Sequence, residues 1–367
     1  MAGAMKILHV VAGLPRSGGG LAELVPQFAR GASEAGHTVV IATVASMDDR
    51  LSDAAGEALG AGIRVVRFAP SWPRFLFFSW RMLWGLRFWV KQAEIIHVHS
   101  NWTFPVWWAC FWAMWQKKPF VMSPQGTFDP VRLEHSAWKK NLVGWLDRFF
   151  LRRASVVHAT SEMECGWIER FVSHKGKKRA KIAVVPNGVN IEKTMFIESQ
   201  HVTGLVASRE RVVLYLGRNH PLKGLDLLEK AWKKVKRDGW RLELIGEGLP
   251  GGLIAGDEKW HAIKIADVFV LPTRSEGFPL SVLEALAVGV PVITTKGAPW
   301  AELVSERCGW WIDVGVEPLA EALREAMSLT DEERRVMGEN GRRLVGRKYQ
   351  WKMVAKQMVE LYETVVK

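Results

Sequence analysis

The chain has 367 residues, 48% of them hydrophobic and 24% charged, which excludes a disordered or fibrous protein and favours two globular domains at this length. Its net charge of +12 is concentrated in residues 1–188, where 24 Lys and Arg face 13 Asp and Glu (24 − 13 = +11). The 3 cysteines lie far apart, which argues against a disulfide framework and indicates a reducing compartment.

Short apolar runs alternate with helical segments along the first half of the chain. The glycine-rich loop Gly18–Gly20 follows the first run, and a helix is predicted from Leu21 to about Ser33. Strands are predicted at 6–11, 37–42, 63–68, 95–98, 120–122, 155–158 and 182–185. This alternation predicts a parallel sheet with helices on both faces.

The turn Pro186-Asn187-Gly188 marks the predicted domain boundary, and the second half repeats the alternation. Thr330 and Glu333 predict a capping box at the start of a helix. Apolar residues three to four positions apart predict a final helix over 351–366. Strands are predicted at 212–216, 242–245, 268–271, 292–294 and 310–312.

The loop after the predicted strand 212–216 carries two cations, Arg218 and Lys223, just before a helix. Arginine can hold a pyrophosphate through two parallel hydrogen bonds, and lysine adds a point charge. Two isolated surface cations are the alternative interpretation.

The segment after the predicted strand 268–271 carries two carboxylates, Glu276 and Glu284, on either side of a helix start next to Gly277. The unpaired N–H groups of a helix N-terminus suit a phosphate, and ionised carboxylates accept hydrogen bonds from sugar hydroxyls. A capped helix with two solvated glutamates is the alternative. Because both loops follow parallel strands, at the edge where such sheets bind ligands, a shared binding site is favoured.

The combination of these segments resembles the family 4 retaining glycosyltransferases, which have the GT-B fold. Glu276 to Glu284 is similar to their E-x7-E motif, and Gly217-Arg218 with Lys223-Gly224 is similar to their donor-phosphate loop. Further similar segments, in the same order over nearly the whole chain, are Ser17–Gly20, Val98–His99, Ser123–Gly126, Ala159–Glu162 and Pro186–Val189.

The resemblance implies two Rossmann-like domains that face a cleft. Residues 1–188 would form the acceptor-binding domain, together with 349–367, which would cross back as a C-terminal helix. Residues 189–348 would bind the nucleotide-sugar donor. The implied reaction moves a sugar from a UDP- or GDP-linked donor to an acceptor hydroxyl, with retention, in cell-envelope polysaccharide or lipopolysaccharide synthesis.

The implied roles fall on specific residues. Arg218 and Lys223 would stabilise the charge of the leaving diphosphate, Glu276 would bind hydroxyls of the donor sugar, and Glu284 would bind the ribose. Further donor-binding residues would be Gly19, Gly277, Phe278, Pro279 and Leu280. The sequence contains no D-x-D run, and no metal or other cofactor is expected.

Two segments depart from the family pattern. Gln125 stands where many relatives have a histidine, so no catalytic histidine is carried over, and the acceptor side is expected to involve His99, Gln125 and Asp129. Residues 246–260 are shorter than in the family, in a region that helps to bind the nucleotide base. A noncatalytic nucleotide-sugar binding protein with a degraded donor site therefore remains an alternative, and a GT-B epimerase is a less favoured one.

The basic first half is also rich in tryptophan, since 12 of the 19 Trp precede residue 170. Trp72–Trp89 interleaves aromatic residues with arginines, which favours contact with an anionic membrane surface, whereas Trp107–Trp115 is predicted to be core. Neither segment has the ~20 apolar residues that span a bilayer. We expect a lipid-linked or saccharide acceptor and no nucleic-acid partner. With no secretory signal at the start, a cytoplasmic protein, peripheral at the inner face of the cell membrane, is expected.

Overall fold

The computed structural model describes residues 3–14, 20–45, 51, 53–134, 137–173, 180–191 and 210–366. The chain divides into two compact units. Unit 1 comprises Met1–Asn187 and Trp351–Lys367, and unit 2 comprises Gly188–Gln350.

Unit 1 is built on a sheet of seven parallel strands in the order β3-β2-β1-β4-β5-β6-β7. Its described elements up to residue 187 are β1 (Lys6–Val11), α1 (Gly20–Glu34), β2 (Thr38–Val44), α2 (Asp53–Gly60), β3 (Arg64–Phe68), α3 (Trp80–Gln92), β4 (Ile95–His99), α4 (Phe104–Trp115), β5 (Phe120–Ser123), α5 (Pro130–Glu134), α6 (Ala137–Arg153), β6 (Val156–Ala159), α7 (Glu162–Val172) and β7 (Ile182–Val184). The central strands are buried throughout, as expected of a parallel sheet that is covered on both faces.

Unit 2 contains five parallel strands in the order β12-β11-β10-β8-β9. Its described elements are β8 (Arg211–Leu216), α8 (Leu225–Val235), β9 (Trp240–Ile245), α9 (Gly256–Lys264), β10 (Val268–Leu271), α10 (Leu280–Val288), β11 (Val292–Thr295), α11 (Glu302–Ser305), β12 (Gly309–Ile312), α12 (Val316–Ser328) and α13 (Asp331–Lys348). The predicted capping box of Thr330 and Glu333 is present at the start of α13.

The last helix, α14 (Trp351–Val366), returns to unit 1 and packs against α1. The two helices come so close that a Cβ on Gly31 would lie 2.2 Å from the Cβ of Ala355. The predicted two-domain α/β fold with a returning C-terminal helix is therefore confirmed.

The return to unit 1 begins two residues later than predicted. The backbone N–H of Val189 donates to the carbonyl oxygen of Tyr349 at 2.9 Å, and Val189 pairs with Gln350 as an isolated bridge. These contacts keep Tyr349 and Gln350 in unit 2, which extends to Gln350.

Candidate functional site

The two charged loops lie side by side because their strands, β8 and β10, are neighbours in the sheet of unit 2. The loop after β8 ends in a short 3-10 turn, Pro221–Lys223, and in Gly224, whose φ is +71°. A Cβ on Gly224 would lie 1.9 Å from the carbonyl oxygen of Pro272, so only glycine lets the two loops approach this closely.

Hydrogen bonds hold the two loops together. The hydroxyl of Thr273 and the backbone N–H of Arg274 both donate to the carbonyl oxygen of Leu222, at 2.9 and 2.7 Å. The guanidinium of Arg274 binds both carboxylate oxygens of Asp226 at 2.7 Å, and this bidentate contact lowers the pKa of Asp226. The charged side chains of the site therefore extend from two loops that are held to each other by hydrogen bonds and an ion pair.

Lys223 and Glu276 meet across this assembly, with 2.7 Å between Nζ and Oε1. Their side chains are only 18% and 11% exposed, so solvent and salt screen this ion pair less than they screen a pair on the surface. The backbone N–H of Glu276 donates to the carbonyl oxygen of Gly297 at 2.8 Å, which ties in the loop after β11. Two of the predicted catalytic residues are thus brought into direct contact, and the carboxylate is fixed by a third loop.

Glu284 lies on α10 and forms an ion pair with Lys259 of α9, with 2.7 Å between Nζ and Oε1. The sequence motifs did not indicate Lys259, because it belongs to none of them and reaches Glu284 only through the packing of α9 against α10. The glutamate that the resemblance assigns to the ribose therefore has a cation beside it.

Two features of the site are open to an anion. Arg218 is exposed on the loop after β8, and its guanidinium forms no hydrogen bond or ion pair with another residue in the described part of the chain. Helix α10 begins at Leu280 after Pro279, which makes no side-chain capping bond. Its first N–H groups suit a negatively charged ligand.

The turn before α10 is anchored by aromatic packing. The ring of Phe278 lies 5.1 Å from the ring of Trp300 and 5.8 Å from that of Tyr349, measured between centroids. Gly277 and Pro279, on either side of Phe278, are buried. The predicted donor-binding turn therefore has a fixed position within unit 2.

The short segment between β9 and α9 forms a compact loop. The N–H of Gly246 donates to the carbonyl oxygen of Gly252 at 2.8 Å, and the N–H of Asn219 donates to that of Glu247 at 3.0 Å. A Cβ on Gly246 would lie 2.0 Å from the carbonyl oxygen of Gly217. Within residues 210–366 there is no further strand between β9 and α9, so this loop packs directly against the loop that carries Arg218.

Gln125 of unit 1 is held in a left-handed turn with φ of +55°. Its Oε1 accepts from Nδ2 of Asn187 at 3.4 Å, while its Nε2 has no partner among the described residues. The turn is fixed by the buried carboxylate of Glu164, which accepts from the N–H of Gly126 at 2.5 Å and was not predicted. Gln125 therefore has a buried amide N–H that no described residue accepts from. The predicted Gly19 lies outside the described residues.

Asp129 lies directly before α5 in unit 1. Its side chain is fully buried, and its Oδ1 accepts from the backbone N–H of Val131 at 2.8 Å at the start of α5. The carboxylate therefore caps a helix of its own unit, and the predicted role in acceptor binding stays a prediction.

His99 is also fully buried in unit 1, and its predicted place on the acceptor side stays a prediction. Its Nε2 is hydrogen-bonded to Nδ1 of His9 at 2.9 Å, and its ring lies 6.3 Å from that of Phe28 in α1. Nitrogen atoms of His9, His97 and His99 lie within 4.8 Å of one another. Because His9 and His99 bond directly and both nitrogens of His97 are engaged, the arrangement is that of a hydrogen-bonded network rather than a metal site.

A chain of buried hydrogen bonds continues this network from α14 to the end of β7. The contacts join Tyr362 Oη to His97 Nδ1 at 2.6 Å, His97 Nε2 to Ser123 Oγ at 2.5 Å, and Ser123 Oγ to His158 Nδ1 at 2.6 Å. His158 Nε2 then meets the carbonyl oxygen of Val185 at 2.7 Å. A carbonyl oxygen only accepts, so His158 Nε2 donates to it. With His97 and His158 both neutral, each hydrogen bond in this series then has one donor and one acceptor, and each proton has a single position.

Comparison with known protein families agrees with this geometry. Residues 19–188 match the family model described as "Glycosyl transferase 4-like domain", and residues 197–344 match "Glycosyl transferases group 1". The chain is 30% identical over 241 residues to the D-inositol 3-phosphate glycosyltransferase of Segniliparus rotundus. The aligned residues make up 57% of this chain and 52% of the relative. The alignment thus spans about half the length of that curated relative.

Solved structures share the fold over almost the whole chain. HepE of Anabaena, in complex with UDP-glucose, gives a TM-score of 0.73 at 17% identity and covers 98% of this chain and 100% of its own. WaaG, a glycosyltransferase involved in lipopolysaccharide biosynthesis, gives a TM-score of 0.69 at 15% identity. The superposition covers 96% of this chain and 98% of WaaG. The solved structures show the GT-B fold, and the two family models, which together span most of the chain, show that the chain belongs to the family 4 glycosyltransferases.

Proposed function

We propose that the protein is a retaining, metal-independent hexosyltransferase that moves a sugar from a nucleotide sugar to an acceptor hydroxyl in cell-envelope polysaccharide or lipopolysaccharide synthesis. The observation that carries the proposal is the contact between Lys223 and Glu276, at the carboxyl ends of adjacent parallel strands and beside an uncapped helix. The names of HepE in complex with UDP-glucose and of WaaG support the donor class and the pathway.

The proposed reaction requires positive charge where the nucleoside diphosphate departs. Lys223 and the first N–H groups of α10 supply that charge from positions that the fold holds, and Arg218 adds a cation from the exposed loop after β8, without a metal ion. Glu276 accepts hydrogen bonds from hydroxyls of the donor sugar, and Glu284 accepts them from the ribose. The departing phosphate then takes the proton of the acceptor hydroxyl on the same face of the sugar, which retains the anomeric configuration.

Unit 1 supplies the acceptor side in this proposal. Gln125 offers an amide N–H beside Asn187, the last residue of that unit before the chain enters unit 2. An amide can orient a hydroxyl without carrying a charge near neutral pH.

A panel of UDP-, GDP-, ADP- and TDP-sugars, measured by thermal shift, tests the donor class. We expect a UDP- or GDP-sugar to raise the melting temperature, because a ligand at 100 times its Kd stabilises the folded state by about 2.7 kcal/mol. The Lys223→Ala variant should show a smaller shift with the same donor, which separates binding at this site from binding elsewhere.

A noncatalytic nucleotide-sugar binding protein is the second candidate, and the compact loop of residues 246–255 favours it. This loop replaces a region that the family uses near the nucleotide base. A donor that binds but is neither transferred nor hydrolysed would support this candidate. If no nucleotide sugar shifts the melting temperature, the donor site is degraded and the transferase proposal fails.

We also propose that unit 1 contacts an anionic membrane surface. The exposed face of α3 is the observation that supports this proposal. Trp80, Trp84 and Phe88 lie four residues apart and are 64%, 73% and 56% exposed. Arg81, Arg87 and Lys91 are exposed on the same side of the helix, which contains no acidic residue. Aromatic side chains at the lipid interface and cations at the headgroups are the pattern of a surface-bound helix.

The exposed aromatic residues continue over the neighbouring helices. Helix α3 packs against α4, and α4 packs against α6. Trp115 on α4 and Trp145 on α6 are 69% and 62% exposed, so the prediction that Trp107–Trp115 is core is wrong for Trp115 although Trp112 is buried. None of the helices in the described part of the chain has the length and apolar character to cross a bilayer.

Vesicle sedimentation tests the membrane proposal. We expect the protein to bind vesicles that contain anionic phospholipid at low salt, and binding should fall as salt increases because the cations of α3 are screened. The double variant Trp80→Ser/Trp84→Ser should bind several-fold less than the parent. Leu253→Ser/Val304→Ser, which removes exposed apolar residues of unit 2, is the matched control. Equal binding by both variants would contradict the assignment of α3.

A further inference from the structure

A cavity of about 390 Å³ opens between α5, α6 and α7 of unit 1, apart from the residues that the proposed function uses. Its size lies within the range of small-molecule sites, roughly 300–1,000 Å³. The lining residues are Phe128, Pro130, Leu133, Arg148, Trp167, Arg170 and Phe171. They are aromatic or aliphatic except for two arginines, and they include no carboxylate.

The two arginines are placed as an anion-binding pair. Arg148 comes from α6 and Arg170 from α7, and neither guanidinium forms an ion pair with a carboxylate of the described residues. The guanidinium carbon of Arg148 lies 4.9 Å from the centre of the Phe171 ring. This cation–π contact restricts the Arg148 side chain while leaving its N–H groups for a ligand.

The apolar walls of the cavity are rigid. The rings of Phe128 and Phe171 stack at 4.1 Å between centroids, and both contact the ring of Trp102 at 5.8 and 5.9 Å. Trp167 and Phe171 lie four residues apart on α7, so they share one face of that helix. A ligand in the cavity would therefore meet aromatic surface next to the two positive charges.

The cavity also adjoins the exposed aromatic surface of the unit. Trp145 lies three residues before Arg148 on α6 and is 62% exposed, and Phe149 follows Arg148 directly. Aromatic side chains that can contact an apolar chain therefore lie beside Arg148 on the same helix.

We propose that this cavity binds the phosphate ester of an amphiphile with an apolar chain, a lipid phosphate, with Arg148 and Arg170 on the phosphate and the aromatic walls on the first carbons of the chain. Arginine grips phosphate through parallel hydrogen bonds, and a purely apolar or purely ionic ligand would use only half of the lining. If the proposed function holds, the site anchors a lipid-linked acceptor, and this biological role rests on that function.

Calorimetric titration of the full chain with farnesyl phosphate, without donor, tests the site. We expect saturable binding, whereas farnesol and inorganic phosphate should each bind at least about tenfold more weakly, because each engages one half of the lining. Arg148→Gln and Arg170→Gln should each weaken farnesyl phosphate binding about tenfold. Arg64→Gln is the matched control, since it removes an arginine stacked on Trp89 elsewhere in unit 1 and should bind like the parent.

Several outcomes would overturn the proposal. Equal affinity of the double variant Arg148→Gln/Arg170→Gln and the parent would place the ligand elsewhere. Equal affinity for inorganic phosphate would remove the apolar part of the assignment. Because Arg170 is exposed, Arg170→Gln remains informative if an Arg148 variant fails to fold. Arginine-dependent binding without any sugar transfer would leave this site standing while the proposed function fails, and transfer that is indifferent to both arginines would do the reverse.

Discussion

Replacing Lys223 by alanine is expected to slow sugar transfer at least about 100-fold, which corresponds to about 2.7 kcal/mol of lost transition-state stabilisation. Lys223 supplies a positive charge from a turn that is hydrogen-bonded to the neighbouring loop, so the charge does not have to move as the diphosphate departs. Glu276→Ala should have an effect of similar size. The hydroxyls of the donor sugar lose the carboxylate that accepts their hydrogen bonds, and Lys223 loses its ion-pair partner 2.7 Å away.

Steady-state kinetics with the donor identified by thermal shift would measure both variants. The expected signature is a fall in kcat that exceeds any rise in KM, since the charge matters most in the transition state. Lys234→Ala is the matched control, because Lys234 forms an exposed ion pair with Glu317 on the same unit and should keep its turnover. A folded Lys223→Ala protein with unchanged turnover would remove Lys223 from the mechanism.

The strands and the charged loops could be predicted from sequence because both depend on short-range patterns. Apolar runs of three to six residues between turn signals placed the strands within two residues of their observed ends. The meeting of Lys223 and Glu276 followed from one rule, since loops at the carboxyl ends of adjacent parallel strands share an edge. The two-residue difference at the C-terminal boundary follows from the backbone pairing of Tyr349 with Val189, which no short-range pattern indicates.

The residues that sequence reasoning missed act through tertiary packing. Lys259 reaches Glu284 from another helix, and Glu164 reaches the Gln125 turn from α7, although neither belongs to a motif. The sequence shows only that His99 lies at the end of a strand, on the side predicted to bind the acceptor. Its side chain points into a layer that includes His9 and Phe28, a placement that depends on helices far along the chain. A single sequence gives no signal for such contacts.

The buried histidines predict that unit 1 loses stability as the pH falls below about 6.5. Burial lowers the pKa of His158 to about 4 and that of His9 to about 3, and it lowers the pKa values of His97 and His99 well below their ordinary value. Below about pH 6.5 these histidines therefore bind protons in the unfolded chain but stay neutral in the folded one. The stabilisation is complete above about 6.5 and is lost as the pH falls toward the folded-state values.

Two buried carboxyl groups act in the opposite sense. Burial raises the pKa of Asp147 to about 6 and also raises that of Glu164, so the folded state holds protons on them that the unfolded state has released. Their contribution is present at low pH and is lost as the pH rises through the folded-state value. The four histidines outnumber the two carboxyl groups, so we expect a net uptake of protons on unfolding and a free energy of unfolding that slopes downward as the pH falls below about 6.5.

Urea unfolding at pH 7.5, 6.5 and 5.5 would measure this slope. His158→Gln keeps an amide that can donate to the carbonyl of Val185 but cannot titrate, so its slope should be shallower by about 1.4 kcal/mol per pH unit. If acidification to pH 5.5 left the free energy of unfolding unchanged, the histidines would already be charged in the folded protein. The single proton order from Tyr362 to Val185 would then be untenable, because a charged ring donates from both nitrogens.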